Sequence, residues 1–210
     1  MAESHDPSSE RPRLAPAGLR VMLVTALIVA GAAVLGIAGG LVWAQVAPRA
    51  LFMVSAPGVA YVVNPETTAF IAADGWFSVV AAVGGVIIGA GGYLIGVRRY
   101  GPVPVAGILA GATAAAFLAA WVGGQVGLNA FRHQLGAAKA GALIRQPVVL
   151  GAHGALAFWP LAAGAAVVII ELIRALADRR RQAAPDPAAH APLPTGPASG
   201  RGQEADRDLR

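Results

Sequence analysis

The sequence predicts an all-α membrane protein: a four-transmembrane-helix bundle with a small extracytoplasmic β-hairpin and a short interfacial helix. Three observations carry this. Four apolar stretches, at residues 21–46, 76–97, 105–128 and 148–170, hold no charged residue. Each is long enough to cross about 30 Å of hydrocarbon at about 1.5 Å per helical residue. The chain is 56% hydrophobic and only 13% charged, where a soluble domain carries about 25% charge. Finally, the basic residues stand beside the ends of the apolar stretches rather than in a groove. With no cysteine in 210 residues, disulfides, thiolate catalysis, cysteine-ligated zinc and iron–sulfur clusters are excluded. The net charge of +5 does not point to nucleic acid, because no basic patch with interleaved aromatics accompanies it.

The expected organisation is a disordered cytoplasmic tail over residues 1–19, a transmembrane domain over 20–176 and a disordered Pro/Ala-rich cytoplasmic tail over 177–210. Within the domain the spans are expected at about 21–46, 76–97, 105–128 and 151–173. The first is too long for a signal-peptide core of roughly 7–15 residues and lacks a small-x-small cleavage pattern, so it reads as a retained helix. After it, Pro57-Gly58 separates two β-branched and aromatic runs, which predicts the hairpin. Asn64-Pro65 marks a second turn before Thr67. Asp74 then stands where it would cap span two, with Trp76 and Phe77 at the interface.

Spans two and three are joined by only residues 98–104, which forces an antiparallel pair. Gly107, Gly111, Ala115, Ala119, Gly123 and Gly127 recur every four residues along span three. Gly85, Gly89, Gly92 and Gly96, spaced four, three and four, repeat the device along span two. Small side chains let helix backbones approach closely in lipid, so these two spans are expected to pack glycine face to glycine face. In the next connection, Phe131, Leu135, Ala138 and Ala142 are spaced as one apolar face, the sign of an interfacial amphipathic helix. Span four contains Trp159-Pro160; a helix starting near Gly151 is kinked or loosened there.

Orientation follows the arginines. Nine basic residues (Arg11, Arg13, Arg20, Arg98, Arg99, Arg174, Arg179, Arg180, Arg181) lie on one side and four (Arg49, Arg132, Lys139, Arg145) on the other. The positive-inside rule puts both termini in the cytoplasm of a multi-pass plasma-membrane protein. Arg179, Arg180 and Arg181 form a collar for anionic headgroups of the lipid bilayer.

Chemistry within the spans is sparse. Thr113 can bond back to its own helix. Gln125, His153 and Glu171 are the candidate polar membrane positions, since polar groups in hydrocarbon are costly. Helix packing glue accounts for Gln125, and an interfacial, hydrogen-bonded imidazole for His153. Glu171 stands one turn before Arg174 and pairs with it. No phosphate loop, HExxH helix or nucleophile elbow occurs. The chain is therefore read as having no catalytic, cofactor-binding or metal residues, and as an interaction or accessory component of the cell envelope. Its partner is another membrane protein or a second copy of itself. The alternative is a small transporter or channel subunit acting as an oligomer, with Gln125 and His153 along its path.

The order of several short motifs resembles a family of actinobacterial four-span integral membrane proteins of unknown function. They are Ala47-Pro48-Arg49, Asn64-Pro65-Glu66, the run from Ile71 through Asp74-Gly75-Trp76-Phe77, and the run from Gly154 through Phe158-Trp159-Pro160-Leu161. The resemblance covers residues 20–176. It implies a plasma-membrane protein with four spans and brings no activity, cofactor or catalytic residue.

Overall fold

The first apolar stretch forms one uninterrupted helix, α1 (Ala17–Val46), rich in alanine and branched aliphatics and free of proline. The structure, a computed structural model, describes residues 17–56, 58–64 and 68–182. Both expected tails up to residue 16 and beyond 182, together with Pro57 and the Pro65-Glu66-Thr67 turn, lie outside the described residues. Just beyond α1, the Arg49 guanidinium donates to the Ala44 carbonyl at 2.9 Å, placing a positive charge on the helix's exposed carbonyl end.

The predicted hairpin is present as β1 (Leu51–Ala56) and β2 (Val59–Val62). The strands pair antiparallel, with Phe52 opposite Val62 and Met53 opposite Tyr61. Gly58, at φ +81°, takes the left-handed position of the turn, which glycine adopts without steric cost. A third strand joins on the other side: β3 (Leu143–Arg145) pairs antiparallel with β1, Met53 opposite Leu143. The sheet order is β2-β1-β3.

Helix α2 (Ala69–Gly92) starts five residues before the expected cap at Asp74. Ala69, Phe70 and Ile71, which stand before the expected start of span two, are therefore already helical. A π-turn (Tyr93–Val97) and a last α-turn (Arg98–Tyr100) prolong α2. Gly101, at φ +76°, breaks it. Then α3 (Val103–Gln125) opens with Pro104 in its first turn, where a missing N–H costs nothing.

Gly127 closes α3 in a left-handed conformation, φ +82°, with nothing within 4 Å of where a β-carbon would stand. It is a turn residue, and its assignment as a helix-packing glycine is corrected: the i+4 spacing runs one step past the helix end. The amphipathic segment forms α4 (Leu128–Ala137), shorter than the pattern that ran to Ala142. It rests on the sheet, with Phe131 edge-on to Phe52 at 6.4 Å between ring centres and the Gly58 amide donating to Leu135 O.

The fourth stretch begins with a 3₁₀ turn (His153–Ala157) and continues as α5 (Phe158–Gln182). Pro160 falls in the first turn of α5, where helix amides have no internal acceptor; of the two outcomes expected there, loosened early turns are the one that forms, as the 3₁₀ turn His153–Ala157. α5 also carries residues 177–182, which were expected to belong to the tail.

The chain divides into two units, Met1–Leu172 and Ile173–Arg210. The second, as far as it is described, is the closing stretch of α5 with Arg174, Arg179, Arg180 and Arg181. In the first unit α1 lies principally along α3. A β-carbon at Gly36 would fall 2.6 Å from Ala115 Cα, and one at Gly40 would meet the Ala119 carbonyl. On the α3 side, Gly107 faces Thr25, Gly111 faces Val29 and Ala32, and Gly123 faces the Trp43 ring. The α2 glycines divide between two neighbours. Gly85 and Gly89 press on Trp159, Ala162 and Ala163 of α5, whereas Gly92 and Gly96 receive Ile108 and Pro104 of α3.

The glycine faces of α2 and α3 therefore do not meet, contrary to the expectation for spans two and three. Each stripe is filled by a larger side chain or by an alanine-lined backbone from another helix. Each glycine acts as a seat that admits a neighbouring ring, methyl group or backbone at close range.

The apolar stretches of the four long helices are apolar outside as well as inside. Met22, Ile71 and Leu161 are 71%, 77% and 67% exposed, and among the described residues no charged side chain is buried. Four helices are long and apolar enough to cross a membrane.

Candidate functional site

Polar chemistry concentrates at two places, one at each end of the helices. At the sheet end, Asp74 sits about one and a half turns into α2 rather than at its start. Its carboxylate accepts the Gly151 amide through Oδ1 and the Ala152 amide through Oδ2, both at 2.9 Å. These amides precede the 3₁₀ turn that opens span four. Asp74 thus pins the chain that leads into span four rather than capping its own helix. Gly151 permits the approach: a β-carbon there would already lie 3.2 Å from Oδ2.

Beneath this clamp lie two fully buried indoles. The Trp43 indole N–H donates to the Ala73 carbonyl at 2.8 Å, and the ring stands edge-on to Phe77, 5.2 Å between centroids. That edge-to-face geometry is favoured by the aromatic quadrupole. Trp159 wedges between Gly39 of α1 and Gly84 of α2, so one side chain joins three helices. Its Nε1 is buried with no hydrogen-bond partner.

At the other end, the Tyr93 hydroxyl donates to Glu171 Oε1 at 2.9 Å. Tyr93 is 1% exposed and opens the π-turn. Such turns insert a residue into the α ladder and rotate the rest of the helix relative to the turns before it. Helical spacing offers Glu171 only Arg174 as a partner; it cannot reveal a phenol 78 residues earlier in the chain.

The sequence-predicted candidates do not form one constellation. Gln125 is the last residue of α3 and His153 opens the 3₁₀ turn; neither is buried. Both stand at the sheet end with no hydrogen bond joining them. Glu171 lies 18 residues beyond His153 on the same span, roughly 27 Å away by helical rise. Thr113 donates to Leu109 O at 2.9 Å, the back-bond expected of a mid-span hydroxyl. Among the described residues, no group of three or more His, Asp or Glu side chains is placed to hold a metal ion.

Sequence reasoning missed the Asp74 clamp, the Trp43 and Trp159 anchors and the Tyr93–Glu171 bond. Local sequence offers no signal for the indoles, because their glycine seats lie on other spans: Gly123 for Trp43, Gly39 and Gly84 for Trp159. No protein-family model, curated protein or solved structure matches the chain.

Proposed function

We propose that the chain is a multi-pass plasma-membrane protein with both termini cytoplasmic, acting through interactions as an accessory component of the cell envelope. The observation that carries this is the apolar exterior of four long helices, with Leu161 and Val168 of α5 about as exposed as Met22 of α1. In water such surfaces drive aggregation; in a bilayer they are the solvated side. The sheet and α4 supply a compact head for contact outside the hydrocarbon, and Arg179, Arg180 and Arg181 a collar for anionic headgroups. The kinship with actinobacterial four-span proteins belongs to the same reading, resting on the short motifs between Ala47 and Leu161.

The test is reconstitution. The full chain should stay with the membrane pellet after alkaline carbonate extraction. Purified alone into liposomes it should pass neither protons nor small solutes, and crosslinking in the native membrane should trap a defined partner. Solute flux lost on His153→Ala or Gln125→Ala overturns the accessory role in favour of a transporter subunit.

A further inference from the structure

Between α1 and α2 runs a groove of about 230 Å³, bounded by Leu27, Gly31, Leu35, Ile87, Gly91 and Ile95. Every residue lining it is apolar. Two of its glycines are unfilled, since β-carbons at Gly31 and Gly91 would have nothing within 4 Å. The other α2 glycines, from Gly84 to Gly96, are filled by neighbouring helices. The groove is therefore glycine-lined space that no described element of the chain occupies.

Its two ends differ in charge. The helices are antiparallel, and Ile28 of α1 meets the positions of Gly92 and Gly96 on α2. The Leu27 and Ile95 end is thus the end nearest the turn at Gly101. Beyond it on α1, Arg20 stands seven residues before Leu27, two turns away on the same face and about 10 Å further along the axis. Beyond it on α2, Arg98 and Arg99 follow Ile95 by three and four residues, about one turn. All three arginines are exposed. No acidic residue occurs in residues 17–46 or 75–100. The groove spans about 12 Å along α1 from Leu27 to Leu35 and is apolar throughout, which suits a linear hydrocarbon chain.

We propose that this groove is a binding site for an anionic phospholipid: one acyl chain lies over Gly31 and Gly91, and the phosphate is held by Arg20, Arg98 and Arg99. Guanidinium groups match phosphate oxygens in both charge and fork geometry. The proposal rests on the membrane reading above, which fails separately if carbonate extraction releases the chain.

Native mass spectrometry of the full chain, taken from nanodiscs of equal phosphatidylglycerol and phosphatidylcholine, tests it. The wild type should retain one phosphatidylglycerol in preference. Arg20→Gln, Arg98→Gln and Arg99→Gln should each lower that preference roughly fivefold. The double variant Gly31→Leu with Gly91→Leu should abolish retention while its melting temperature holds or rises, because both sites are open and glycine is a poor helix former. Replacing Arg179, Arg180 and Arg181 with Gln should leave retention unchanged. Equal retention of the two lipids, persistence of phosphatidylglycerol in the filled-groove variant, or its loss with the collar arginines would each overturn the site.

Discussion

Asp74 shows how far a residue's role can lie from its position in the chain. Read locally, a carboxylate before an apolar run is an N-cap. The helix in fact starts at Ala69, and the carboxylate reaches across to Gly151 and Ala152. Both bonds are exposed, so water can take over the freed amides, and each bond contributes about 0.5–1.5 kcal/mol. Asp74→Ala should therefore lower unfolding free energy in detergent by about 1–2 kcal/mol. Asp74→Asn, which keeps one acceptor oxygen, should recover part of the loss. At Tyr93, removal of the hydroxyl strips Glu171 of its donor. A double-mutant cycle on Tyr93→Phe and Glu171→Gln should return a coupling of about 0.5–3 kcal/mol. A coupling of zero would mean the 2.9 Å bond contributes nothing to stability.

Among the elements, the four helices were legible because each carries its own signal, an uncharged run of sufficient length. The hairpin was legible from Pro57-Gly58 and its flanking β-branched residues. What escaped were the features that need two distant segments at once. β3 is three residues long and becomes a strand only by pairing with Leu51, Phe52 and Met53. The glycine stripes revealed which helix faces approach closely but not their partners, since glycine carries no side chain to specify one. Gly40 and Gly89 each meet a backbone carbonyl, of Ala119 and Ala163. A leucine at either position has nowhere to go, and Gly40→Leu or Gly89→Leu should abolish recovery of folded protein. Gly31→Ala and Gly91→Ala, in open space, should stabilise their helices by about 0.5–1 kcal/mol. Thermal unfolding monitored by circular dichroism separates the two classes.

For the whole molecule, the proposed topology is tested by labelling. The chain has no cysteine, so single cysteines can be introduced without a background. Gln134 on α4 and Gln182 at the end of α5 are both exposed. An impermeant maleimide applied to intact cells should label Gln134→Cys only; labelling of Gln182→Cys instead would invert the protein in its membrane.

The pairing of helices has a consequence for how the protein is made. Gly36 and Gly40 of α1 wait for α3, and Gly85 and Gly89 of α2 wait for α5. During synthesis the first two helices emerge from the ribosome before either mate exists. In the meantime they have only each other and the lipid, which runs without a single charge can tolerate. A nascent chain halted after Tyr100 would carry two unmatched glycine seams, an inviting target for membrane quality-control proteases until α3 arrives.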